Sequence, residues 1–184
     1  MTEENRNLKP SDNPAADADS AKHGASAAVY ELEDGSNFIL AVGGSFAYTR
    51  DVNGTIRVWG DNQFGQLGKG TQGQTFEVKE FKTRNADIDV SQIKDIVAAN
   101  DYSFLWMEDG TVWGVGNNSY LPLTVPEGTY ATHVKVKLPE APVALAPGFG
   151  HVLALTENGE VYAWGRNSQG QVGNGTTRKA MTPE

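Results

Sequence analysis

The sequence predicts an all-β chain, a partial β-propeller of about three four-stranded antiparallel blades behind an extended polar N-terminal arm. Three observations carry this reading. The phrase Asn53-Gly-Thr-Ile-Arg-Val-Trp-Gly-Asp-Asn-Gln-Phe-Gly-Gln-Leu-Gly-Lys-Gly70 returns as Asn158-Gly-Glu-Val-Tyr-Ala-Trp-Gly-Arg-Asn-Ser-Gln-Gly-Gln-Val-Gly-Asn-Gly175. A worn copy, Asp109-Gly-Thr-Val-Trp-Gly-Val-Gly-Asn-Asn118, lies between them, so the period is roughly 50 residues, the range of propellers and solenoids. The apolar runs between turn signals are short, and no stretch of useful length has a 3.6-residue period.

Each copy supplies its strands in the same order. A short apolar run comes first: Phe38–Val42, Ile96–Ala99 and Val143–Ala146. Unbroken apolar runs of this length suit a strand buried on both faces. After a small-residue turn comes a second strand, Phe46–Thr49, Tyr102–Trp106 and His151–Leu155. The dipeptides Asn53-Gly54, Asp109-Gly110 and Asn158-Gly159 then predict a two-residue hairpin of type I′. The third strand spans Thr55–Trp59, Thr111–Val115 and Glu160–Trp164. An outer strand follows two of the copies, Thr75–Phe81 and Thr132–Leu138, and its alternation suits one wet face. Four antiparallel strands per repeat make a propeller blade.

These phrases resemble the repeats of the regulator of chromosome condensation family. The third copy matches nearly throughout, from Gly148-Phe-Gly-His-Val-Leu-Ala-Leu-Thr156 to Gly175. The first matches from Asn53 to Gly70, with Phe46 at the family's His position. The second has Tyr102 for that His, and Asn118-Ser-Tyr-Leu-Pro-Leu123 in place of Gly-Gln-Leu-Gly. The resemblance spans residues 29–184 and implies a propeller, commonly of seven blades. It also implies a structural role for His151 between blades. The best-known member exchanges nucleotide on a small GTPase and binds chromatin, so the resemblance implies a regulator of that kind.

Residues 1–28 differ in kind. Met1 and Leu8 are their only large apolar residues, too few to offset the entropy of ordering. They read as an arm that orders on a partner, with Leu8, Lys9 and Pro10 as its contacts. The β domain is then 29–184. Ala28–Glu33 looks like a spare outer strand, while the third copy reaches only Met181-Thr-Pro-Glu184. Val29, Tyr30 and Leu32 are therefore expected to complete an open edge at Met181 and Pro183 of another copy.

The chemistry is sparse. The chain has no cysteine, so thiolate sites and disulfides drop out. His23, His133 and His151 have no metal-ligand spacing. Asp51 and Asp109 read as turn residues rather than a Ca²⁺ ladder. Gly65–Thr71 imitates a phosphate loop, but Gln63 and Gly70 stand where Gly and Ser or Thr are required. The tryptophans read as packing between blades, while Tyr120, Tyr130 and Phe149 are candidates for an exposed sugar-stacking surface. No catalytic, metal or cofactor residue is expected. A net charge of −8 argues against nucleic acid, and no apolar run is long enough for membrane insertion. An N-terminus without an apolar signal core points to a cytoplasmic product. The function expected from these features is a non-enzymatic scaffold that self-associates in a larger assembly. Its specific form is a bacteriophage virion component, a decoration, collar or fibre element, found in the virion. The alternatives are a small-GTPase regulator and a carbohydrate-binding module.

Overall fold

The structure, a computed structural model, describes residues 38–184 apart from Val52. Within these residues, β1 (Ile39–Val42), β2 (Phe46–Arg50), β3 (Ile56–Gly60) and β4 (Thr75–Glu80) form a four-stranded antiparallel sheet in sequence order. A 3-10 turn at Val90–Gln92 leads to the second sheet, built the same way from β5 (Ile93–Ala98), β6 (Tyr102–Met107), β7 (Val112–Asn117) and β8 (Thr129–Lys135). The third sheet holds β9 (Pro142–Pro147), β10 (His151–Thr156) and β11 (Val161–Gly165). These three sheets are the blades of a partial propeller. β1 lies beside β5, and β5 beside β9, so each blade's first strand is innermost.

The copies fold in one register. Leu40, Ile96 and Leu145 hold the same place and sit opposite Thr49, Leu105 and Ala154. Blade faces meet in two apolar junctions. Tyr48, Ile56 and Val58 of blade one pack with Ile96 and Leu105 of blade two. Phe104, Trp106 and Val112 of blade two pack with Leu145, Val152 and Trp164 of blade three. Polar bonds cross both junctions. Ser103 Oγ donates to the Gln66 carbonyl at 2.9 Å, and Trp164 Nε1 to the Pro122 carbonyl at 2.8 Å. The Tyr102 hydroxyl donates to the carbonyls of Gly148 and His151, at 2.8 and 3.0 Å.

Two sequence expectations need correction. The hairpins are not type I′, which requires two positive φ values. Only Gly54, Gly110 and Gly159 have them, at 76°, 81° and 83°. Gly54 N donates to Asp51 O and Asp51 N to Thr55 O, so a longer turn that ends in a left-handed glycine closes the hairpin. The first strand is also not buried on both faces in blade one. Ile39 and Ala41 are buried, but Leu40 and Val42 are exposed, because no described blade stands in front of them.

The arm at 1–28, its contacts Leu8, Lys9 and Pro10, and the strand residues Val29, Tyr30 and Leu32 lie outside the described residues. At the other end, residues 180–184 run along β11. Gly165 and Ala180 exchange two backbone bonds, at 2.8 and 3.0 Å, and Ala163 and Glu184 exchange two more, at 2.9 and 3.0 Å. Met181 stays half exposed beside them and Pro183 is partly buried.

Candidate functional site

The long loop after each third strand is organised by one asparagine. Asn62, Asn118 and Asn167 are buried, and each side-chain oxygen accepts the amide five residues on, from Leu67, Leu123 and Val172. Each side-chain nitrogen bonds carbonyls at the far end of its loop. The signal was in the sequence, since the asparagine recurs at one place in all three phrases. The worn loop keeps the same backbone. Leu121 and Thr124 have φ of 69° and 55°, where the first copy has Gly65 and Gly68 at 78° and 62°. Such strain costs about 1–3 kcal/mol per residue. It is offset by burying Leu121 and by the Lys137 amide donating to Thr124 Oγ1 at 2.7 Å.

These loops and the turns after each first strand share one end of the blades. There the backbone amides of Asp61, Asn117 and Arg166 donate to the carbonyls of Ser45, Asp101 and Gly150. In blade one, Asp61 accepts from the Gln63 amide and from Gln66 Nε2. In blade two, Asn117 donates its side-chain amide to Asp101 at 2.7 Å. At the second junction the character changes. Tyr120 and Phe149 are exposed with ring centroids 6.2 Å apart. The Arg166 guanidinium lies 5.1 Å from the Tyr120 ring and 5.2 Å from that of Phe149. Gly150 makes the approach possible, because a Cβ there would sit 2.6 Å from the Tyr120 ring. Arg166 donates Nε to Ser168 Oγ at 3.2 Å and pairs with no carboxylate among the described residues.

The blade fold does not require this cluster. At the first junction the same three places hold Phe64, Asn100 and Asn117. Two stacked cation–π contacts, each worth about 0.5–1 kcal/mol at an exposed site, hold the arginine fixed with its edge in water. The pair Tyr120 and Phe149 was legible as exposed aromatics. Tyr130 does not join them; its hydroxyl donates to the Pro126 carbonyl at 2.9 Å. Arg166 was missed, because it sits inside a repeat phrase that reads as structural.

The other candidates resolve into structure. Asp51 accepts the amides of Asn53 and Thr55 and pairs with Arg57 at 3.0 Å. Asp109 accepts the Thr111 amide and hydroxyl. Trp164 and Trp106 are buried, whereas Trp59 and Trp113 are half-buried. His133 lies wholly inside the first junction, and His151 is half-buried. Among the described residues no three His, Asp or Glu converge on a point.

Comparison with known proteins places residues 143–171 on the regulator of chromosome condensation (RCC1) repeat. Human E3 ubiquitin-protein ligase HERC2 is 33% identical over 71% of this chain, which spans 3% of that protein. The Xenopus laevis regulator of chromosome condensation is 28% identical over 72% of this chain, which spans 31% of it. The solved structure of Prp20p from Saccharomyces cerevisiae, studied for binding to Gsp1p and histones, matches with a TM-score of 0.67. The match is 20% identical and covers 78% of this chain and 36% of Prp20p. Relatives of this kind overturn the expectation of a bacteriophage virion component; the regulator reading fits them better.

Proposed function

Because the chain belongs to the regulator of chromosome condensation repeat family, we propose that it works as a regulator that binds a protein partner, a small GTPase, at the loop-bearing end of its blades. One observation carries the assignment to that end: the Tyr120–Arg166–Phe149 cluster, exposed and not required by the repeat. Tyrosine and arginine are enriched among residues that dominate interface energies. An arginine already ordered by stacking loses little side-chain entropy on binding. Prp20p, whose fold this chain shares, was studied for binding to Gsp1p and histones, which supports a protein partner.

The cluster disfavours the sugar-stacking reading. A sugar would need an open aromatic face, and the guanidinium lies over both rings. A net charge of −8 likewise disfavours DNA, although it does not repel a basic protein.

The test is release of fluorescent GDP from a panel of purified small GTPases, with and without the chain. At least one GTPase is expected to respond. Phe149→Ala with Arg166→Ala is expected to reduce the response at least ~100-fold, the effect of losing about 2.8 kcal/mol at an interface centre. A panel that neither binds nor responds rejects the reading.

A further inference from the structure

The Arg166 side chain is fixed on one side and open on the other. Its Cζ lies 5.1 Å from the Tyr120 ring and 5.2 Å from the Phe149 ring, and the two ring centroids are 6.2 Å apart, so the guanidinium caps both rings at once. Nε is spent on Ser168 Oγ at 3.2 Å. The two terminal nitrogens have no acceptor among the described residues, and the residue is only partly buried. Donors held in one plane match the two oxygens of a carboxylate and bind them as a fork.

The carboxylates tied to this end of the worn loop are engaged elsewhere. Glu127 pairs with Lys179, whose Nζ also donates to the Ser119 carbonyl at 3.3 Å, and Asp101 accepts the Asn117 side-chain amide at 2.7 Å. The backbone offers little to a larger anion. The amides of Ser119, Gly150, Arg166 and Gln169 all donate within the chain. A phosphate group or a chain-terminal carboxylate is held by a cradle of free amides, whereas a side-chain carboxylate needs only the guanidinium edge. A net charge of −8 also opposes a phosphate dianion more than a single carboxylate. Beside the guanidinium, Tyr120 and Phe149 stay 37% and 53% exposed, which leaves apolar surface for the neighbours of an acidic residue.

We propose that this cluster receives one aspartate or glutamate side chain of the protein partner, with apolar residues beside it in the partner resting on the two rings. The proposal rests on the reading of the loop-bearing end as the partner-binding end, but not on the partner being a GTPase.

The experiment is fluorescence anisotropy of the full chain against a library of short labelled peptides amidated at their C-termini. Each holds one glutamate between varied apolar residues and is matched with its glutamine and phosphoserine forms. At least one glutamate peptide is expected to bind, and its glutamine form to bind at least ~tenfold more weakly. Arg166→Gln in the chain should cost as much. Against that variant the glutamate and glutamine peptides should bind alike, because the two partners act as one unit. Arg166→Lys keeps the charge without the fork, so it should retain only part of the affinity. Circular dichroism checks the fold of both variants, and the change within the peptide reads the pair with the chain unaltered. Three results overturn the proposal: no glutamate peptide binds, whether the cluster is idle or another part of the chain occupies it; the glutamine or phosphoserine form binds at least as well; or the preference for glutamate survives Arg166→Gln. A GTPase panel that stays silent while peptides couple to Arg166 rejects the GTPase and keeps the carboxylate. A GTPase that responds while no peptide couples does the reverse.

Discussion

His133 shows how a junction between blades sets the chemistry of one side chain. It is 2% exposed, neither ring nitrogen has a hydrogen-bond partner, and the Phe81 ring meets it edge-on at 5.9 Å. Burial lowers its pKa from 6.5 to about 3. Above pH 6.5 both folded and unfolded chains hold it neutral. Below that, the unfolded chain takes up the proton and the folded chain does not, so stability falls as pH drops toward 3. The loss at pH 5 should be about 2 kcal/mol from this residue. Urea unfolding of the wild type and His133→Gln at pH 7 and pH 5 reads it as the difference between their losses; equal losses would refute the assignment. The same junction makes Gly68 intolerant. A Cβ there would lie 2.0 Å from His133 Cε1, while at Gly173 nothing lies within 4 Å. Both have positive φ, so Gly173→Ala should cost only about 1–2 kcal/mol of backbone strain. Gly68→Ala should cost clearly more in the same assay, and equal costs would mean that the first junction is looser than described.

At the scale of elements, the strands and their order were legible because hydrophobic runs and glycine turns recur in register. The outer strand was less so. Val134-Lys-Val-Lys-Leu138 alternates like a half-wet strand, yet β8 ends at Lys135 and carries His133 into the junction. Sequence alternation reports one sheet's faces and not what the neighbouring blade covers. The worn loop was illegible for a related reason. Its glycines are gone, but Asn118 still closes it and holds Leu121 and Thr124 in the left-handed region. The same contrast predicts tryptophan costs. Trp164 is fully buried with its Nε1 bonded, so Trp164→Ala should cost about 3–5 kcal/mol. Trp59 holds the equivalent place on a face that no described blade covers and is only half-buried, so Trp59→Ala should cost less. Chemical denaturation of both variants checks this, and similar costs would contradict the difference between inner and outer faces.

For the whole molecule, the architecture was readable and the site only in part. Tyr120 and Phe149 stood out as exposed aromatics, but Arg166 lies far from Tyr120 in sequence and inside a phrase that the fold already explains. Only the meeting of two blades brings the three together. The virion reading failed because it drew on missing chemistry and unfinished repeats, neither of which names a partner. Charge offers one whole-molecule check. Arg166 is a fixed cation on a chain of net charge −8, so Arg166→Glu should lower partner affinity more than Arg166→Ala does. Titration of both variants against a GTPase that responds in nucleotide release measures the two affinities; equal losses would make the arginine a packing residue without an electrostatic part. The central claim is that a protein partner is held at the loop-bearing end, and amide hydrogen exchange of the chain with and without that GTPase tests it most directly. Protection is expected around residues 117–120, 148–150 and 166–168, and protection confined to the opposite hairpins at 51–55, 107–111 and 156–160 would contradict it.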